Sequence, residues 1–184
     1  MSTATTLHQL TGTWNLDPAH TRIGFVTRHA MVTKVRGNFN DFSGTAVVGE
    51  NLADSTVEVK IVANSVDTRN EQRDEHLRSG DFFGSEEHPE IIFRSTSVRE
   101  TGPNSFEITG DLTIKDVTQS LTIPFTYEGV ATDPFGNQRA GFEGSVVVNR
   151  KDFGITWNAA LETGGVLVSE KVTLEFEVSA IKAA

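Results

Sequence analysis

Along most of the chain apolar and polar residues alternate one by one, the period of a strand with one buried face. The cleanest run lies near the C-terminus, where Val172, Leu174, Phe176 and Val178 alternate with Lys171, Thr173, Glu175 and Glu177. Val57, Val59 and Ile61 alternate with Glu58 and Lys60 in the same way. Ile23, Phe25 and Thr27 share a face opposite Arg22, Gly24 and Val26, and Ile91, Phe93 and Ser95 share one opposite Ile92 and Arg94. Phe106 and Ile108, Leu112 and Ile114, and Leu121, Ile123 and Phe125 extend the pattern. Thr13 to Leu16, Thr45 to Val48 and Ala140 to Val148 complete the strands, with Gly141 and Gly144 permitting strong curvature. Turn chemistry separates them: Pro18 in Asp17 to His20, the pair Lys115-Asp116, the loop Asp133 to Asn137, and Gly164-Gly165. Pro124 predicts an edge or a bulge. Arg28 to Val35 fits neither period clearly and reads as a loop or a helical turn. About eight short, evenly spaced strands predict an all-β antiparallel barrel or sandwich.

Between Asp67 and Gly84 the alternation gives way to a dense run of charge. There Asp67, Arg69, Glu71, Arg73, Asp74, Glu75, Arg78 and Asp81 crowd together, followed by Phe82-Phe83. Thr68 and Glu71 have capping-box spacing, and Gly80 suits a helix end, so one short helix is predicted over about residues 68–79. Leu77 is its one large aliphatic residue, which makes it a lid or plug anchored by Phe82 and Phe83 rather than a core helix. Residues 1–12 are polar and are expected to form a flexible segment; residues 13–184 form a single domain.

Composition narrows the function. A domain of 184 residues can bury roughly 70% of its unfolded surface. Sixteen basic against twenty-five acidic residues give a net charge of −9, which argues against a nucleic-acid partner and against an anionic membrane footprint. No stretch is long and apolar enough to span a bilayer, and no secretory signal is visible, so a cytoplasmic location is expected. The chain has no cysteine, which removes disulfide and thiolate chemistry. Twelve phenylalanines against one tyrosine and two tryptophans point to apolar interior surface.

Candidate catalytic chemistry is thin. His8, His20, His29, His76 and His88 lack metal-ligand spacing, although His20, His29 and His76 could meet in the fold. Asp74 with His76, beside Arg73, could form an acid/base group, but such pairs on a short helix are more often solvated ion pairs. There is no nucleophile elbow and no phosphate loop. A small hydrolytic or metal-dependent enzyme is therefore the second reading, and no cofactor is implied. The phenylalanines allow two interiors, a filled core or an elongated apolar cavity closed by the helix, and periodicity does not separate them.

Several separated blocks occur in one order: WNLDPAHTRIGFVTRHAMVTKVRGNFNDFSGT, ANSVDTRNEQRDEHLRSGDFF, HPEIIFRST, GDLTIKDVTQSLTIPF and NRKDFGITWN. Together, from about Trp14 to Val178, they resemble the YceI-like polyisoprenoid-binding family. The resemblance implies an extended, lipocalin-like antiparallel β-barrel whose interior binds a long-chain isoprenoid, quinone-type or other amphiphilic lipid, and a carrier or sequestration role rather than turnover. It implies that Phe25, Phe39, Phe42, Phe82, Phe83, Phe93, Phe125 and Phe153 contact the lipid chain. His29, Arg73, His76 and Asp152 would lie near its polar end. His20 and Arg150 also fall within the matching blocks. Where relatives often carry an export signal, none is visible here, and Asp116 stands where a turn glycine is usual. Whether the barrel forms a homodimer is left open.

Overall fold

The computed structural model describes residues 7–162 and 164–183. Eleven strands form one antiparallel sheet. They are β1 (Gly12–Leu16), β2 (Arg22–His29), β3 (Thr33–Phe39), β4 (Phe42–Val48), β5 (Thr56–Val62), β6 (Val66–Asp67), β7 (Glu90–Gly102), β8 (Ser105–Ile114), β9 (Val117–Thr132), β10 (Gln138–Asn149) and β11 (Lys171–Lys182). Neighbouring strands run in the order β1-β4-β5-β7-β8-β9-β10-β11, and pairing of β11 back onto β1 closes these eight into a barrel. Closure satisfies the backbone groups that an open sheet would leave at its edges.

The three remaining strands reflect interruptions in longer ones. Both β1 and β2 lie along β11, with Leu16 opposite Ala180 and Phe25 opposite Leu174. The Asp17–His20 turn separates them. Asn40 and Asp41 likewise divide β3 from β4, and β6 pairs with the end of β3. The segment Arg28 to Val35 is neither a loop nor a helical turn. It is a tight hairpin in which Ala30 and Met31 adopt φ of 50° and 64° and the Val32 N–H donates to the His29 carbonyl at 3.1 Å. Its non-glycine turn residues hid it, because hairpin turns of this hand usually carry Asn or Gly. The Lys115-Asp116 turn has the expected shape, with φ of 52° and 63°.

Pro124 lies where one ladder ends. β9 pairs with β10 only as far as Phe125–Gly144, while residues 117–124 pair with β8 alone. A proline has no N–H to offer a second neighbour. A 3-10 turn at Arg150–Phe153 covers this break, tied by the Gln119 amide donating to the Asp152 carbonyl at 2.8 Å.

The helix α1 spans Glu71–Arg78, two to three residues shorter at its start than expected. Its cap is Asn70, whose side chain accepts the Arg73 N–H at 3.0 Å, not Thr68. Thr68 is used differently: its N–H and hydroxyl both donate to the buried Asp74 carboxylate, at 2.8 and 2.5 Å. Of the N-terminal segment 1–12 that was expected to be flexible, residues 1–6 lie outside the described residues and residues 7–12 are built into the fold. Leu7–Gln9 form a 3-10 turn, Leu7 and Leu10 are buried, and the Leu10 carbonyl accepts the Trp14 indole N–H at 2.7 Å.

Candidate ligand-binding cavity

The period-two pattern turns one face of every barrel strand inward, and those faces do not fill the interior. A cavity of about 280 Å³ remains, near the lower end of the range for small-molecule pockets. It runs the length of the barrel. Leu10, Trp14 and Leu52 line one end, and Leu77, Phe82, Phe83 and Ile155 line the other, beneath α1. Between them lie inward residues of the central strands, among them Ile108, Leu112, Ile123 and Leu174. The interior is hollow, which the alternation alone could not decide.

All but two of the phenylalanines line this cavity. Phe25, Phe39, Phe82, Phe83, Phe93, Phe125 and Phe153 are among them, together with Phe106, Phe142 and Phe176. Phe42 is buried in the core but is not part of the lining, and Phe135 is exposed at the tip of the β9–β10 hairpin. Near α1, Phe25, Phe39 and Phe83 form a cluster with ring centroids 5.5 to 6.5 Å apart. Farther along, Phe106 stacks on Phe125 at 5.6 Å and meets Phe142 edge-on at 5.7 Å.

The four polar residues expected near a lipid head are not brought together, and none lines the cavity. His29 is exposed at the end of β2 and bridges to Val168 through the backbone. Arg73 turns back to the chain before the helix, its Nε and Nη2 donating to the Thr68 hydroxyl and carbonyl at 2.8 and 2.7 Å. His76 pairs with Asp81 at 2.9 Å and packs edge-on against Trp157 and Phe82. The Asp152 side chain is exposed. The acid/base pairing of His76 with Asp74 is likewise not formed, because Thr68 takes the Asp74 carboxylate. No group of three His, Asp or Glu side chains is arranged to hold a metal ion among the described residues.

The charged side chain that does line the cavity is Arg150, only 5% exposed. Its Nε, Nη1 and Nη2 donate to the carbonyls of Ser169, Ile155 and Val168 at 2.9, 2.8 and 3.2 Å. Burial lowers its pKa from the ordinary guanidinium value, while the Glu170 charge acts the other way. Thr27 lines the cavity too, and its buried hydroxyl has no hydrogen-bond partner among the described residues. In the sequence Thr27 was visible as the third member of the Ile23–Phe25 face. Arg150 stands in a 3-10 turn, where no period tells which way a side chain points.

Among the described residues no helix is long and apolar enough to cross a membrane. The model of the YceI-like domain matches residues 14–180. UPF0312 protein SA2479 of Staphylococcus aureus is 41% identical over 170 residues, covering 91% of this chain and 95% of that protein. The crystal structure of the Campylobacter jejuni YCEI protein is similar at a TM-score of 0.73 and 30% identity, over 92% of this chain and 97% of that one. A polyisoprenoid binding domain from Saccharophagus degradans, implicated in plant cell wall breakdown, shares the fold at a TM-score of 0.72 and 13% identity, over 92% and 98% of the two chains. Matched over almost its whole length by both sequence and fold, the chain belongs to the YceI-like domain family.

Proposed function

We propose that this protein binds a long-chain amphiphilic lipid of the isoprenoid or quinone type inside the barrel, and that it carries or sequesters that lipid rather than transforming it. The observation that carries the reading is the continuous apolar cavity along the barrel, walled by phenylalanine and branched aliphatic side chains. An empty apolar tube of this kind gains about 25 cal/mol for each Å² of apolar surface removed from water, roughly 0.8 kcal/mol for each CH₂ of the guest. Affinity then grows with chain length, so recognition is broad along the chain. The polyisoprenoid binding domain with the same fold supports an isoprenoid guest. The engagement of Asp74 by Thr68 and of His76 by Asp81 leaves the hydrolytic alternative without its acid/base pair.

Native mass spectrometry of freshly purified protein, followed by organic extraction, tests the reading. A co-purifying long-chain species is expected, and Phe93→Asp, which puts a charge on the cavity wall, should abolish its retention while the far-ultraviolet circular dichroism stays that of a folded β protein. An apo mass unchanged by incubation with polyprenol or a long-tailed quinone would overturn it.

A further inference from the structure

The net charge of −9 is unevenly spread. No acid occurs between Pro18 and Asn40, a stretch that holds Arg22, Arg28, Lys34 and Arg36. Arg22 is answered by Glu175 at 3.1 Å. The other three side chains make no hydrogen bond or ion pair among the described residues. All three are exposed and share the outer face of the β2–β3 hairpin: Arg28 stands opposite Lys34, and Arg36, two residues on, stands opposite Val26. Like charges directly opposite one another repel across a strand pair, so the hairpin carries this cluster at a cost to its own pairing. The neighbouring loop 158–169 holds a single acid, Glu162. Averaged over the chain the charge disfavours an anionic surface; on this hairpin the sign is reversed.

The tip of the same hairpin departs from a second local rule. Ala30 and Met31 take φ of 50° and 64°, a conformation in which Asn or Gly is ordinarily found. The turn instead presents Met31, 60% exposed, followed by Val32, 74% exposed. The Ala30 N–H donates to the Leu167 carbonyl at 2.7 Å, and Gly165 leaves room for the Met31 thioether, so the exposed Val166 between them joins the tip. An apolar knob therefore projects from the turn with three unanswered cations behind it. Nucleic acid would use the cations and leave the knob in water; a neutral apolar surface would do the reverse. An anionic bilayer uses both, because an apolar tip enters the boundary between headgroups and acyl chains while cations meet the lipid phosphates.

We propose that the β2–β3 hairpin docks this protein onto an anionic lipid bilayer, with Met31 and Val32 entering the interface and Arg28, Lys34 and Arg36 meeting lipid phosphates. Each cation close to an anionic leaflet strengthens binding about fivefold, so the three together supply about a hundredfold. Docking sets one end of the cavity toward the bilayer, since Phe25 and Thr27, on the strand that leads into the hairpin, line it. Contact with the bilayer needs no guest in the barrel, so the docking surface stands or falls apart from the lipid-cavity reading.

The test is co-sedimentation of the full chain at low salt with vesicles of phosphatidylcholine alone or of phosphatidylcholine mixed equally with phosphatidylglycerol. The mixed vesicles should bind about a hundredfold more tightly, and molar salt should release the protein. Lys34→Gln together with Arg36→Gln should weaken that binding about twentyfold. Met31→Asn together with Val32→Thr removes the apolar tip; Asn suits the left-handed backbone and Thr keeps the branched shape, so the circular dichroism should not change while vesicle binding falls about tenfold. Equal binding to the two vesicle types, or none to either, would overturn the docking surface. Full binding by the tip variant, or tighter capture by a DNA duplex than by the mixed vesicles, would overturn the assignment to a bilayer and leave a site for polyanions.

Discussion

Three glycines shape the cavity wall by what they lack. A methyl group on Gly144 would stand 2.6 Å from Phe125 Cδ1 and 2.8 Å from the Pro124 carbonyl. One on Gly110 would meet Phe93 Cζ at 2.6 Å, and one on Gly37 would collide with the Phe25 ring. Each glycine leaves room for the aromatic ring of a neighbouring strand to lie across it on the cavity wall. Gly144→Ala should therefore destabilise the barrel by about 1 to 3 kcal/mol, because backbone on one side bars relaxation, and thermal melting would detect the loss. At this scale the sequence reads well where side chains alternate: Phe25, Phe93 and Phe125 each fall on an inward face by counting alone. It reads poorly where a polar group chooses a local partner. His76 turns to Asp81 and Arg73 to Thr68, choices set by backbone geometry that the sequence does not display.

The helix and its flanks illustrate the same division at the scale of elements. Breakdown of alternation located α1, and charge density made it a cover rather than a core element. The cap was misplaced because Thr68 and Asn70 are both good cap residues, and the buried Asp74 recruits the first. The two roles are separable by mutation. Asn70→Ala should cost about 1 kcal/mol as an ordinary cap loss. Thr68→Val should cost more, about 1 to 3 kcal/mol, since it strips the hydroxyl donor from a buried carboxylate. Urea titration of both variants measures the order; equal costs would mean that Asp74 finds another partner. Two further contacts hold the cover down, Arg78 Nε to the Asn64 carbonyl at 3.0 Å and Lys115 Nζ to the Gly80 carbonyl at 2.8 Å.

For the whole molecule, the ion cluster of Arg139 with Asp17 and Asp133 joins the β1–β2 turn to the β9–β10 hairpin, at 2.6 and 2.7 Å. The Arg139 guanidinium, then His20, lowers the Asp17 carboxyl below its ordinary value. For Asp133 partial desolvation pushes upward but is outweighed by the Asn137 N–H, Arg139 and the Phe135 N–H, leaving it at about 2. Carboxyls depressed on folding contribute stability that is present above their unfolded value near 4 and is lost as pH falls through the folded value. Melting temperature should therefore drop between about pH 4 and about pH 2, and Asp133→Asn should flatten that drop while lowering stability near neutrality. The cavity itself leaves one practical consequence. The chain has two indoles, and they stand differently to the cavity: Trp14 lines its wall beside the N-terminal turn, whereas Trp157 lies outside the lining and packs against His76 and, at 5.5 Å, against the lining residue Phe82. The protein therefore carries two optical reporters of different reach: a molecule lying against the wall disturbs Trp14 directly, while Trp157 senses it only through a shift of Phe82.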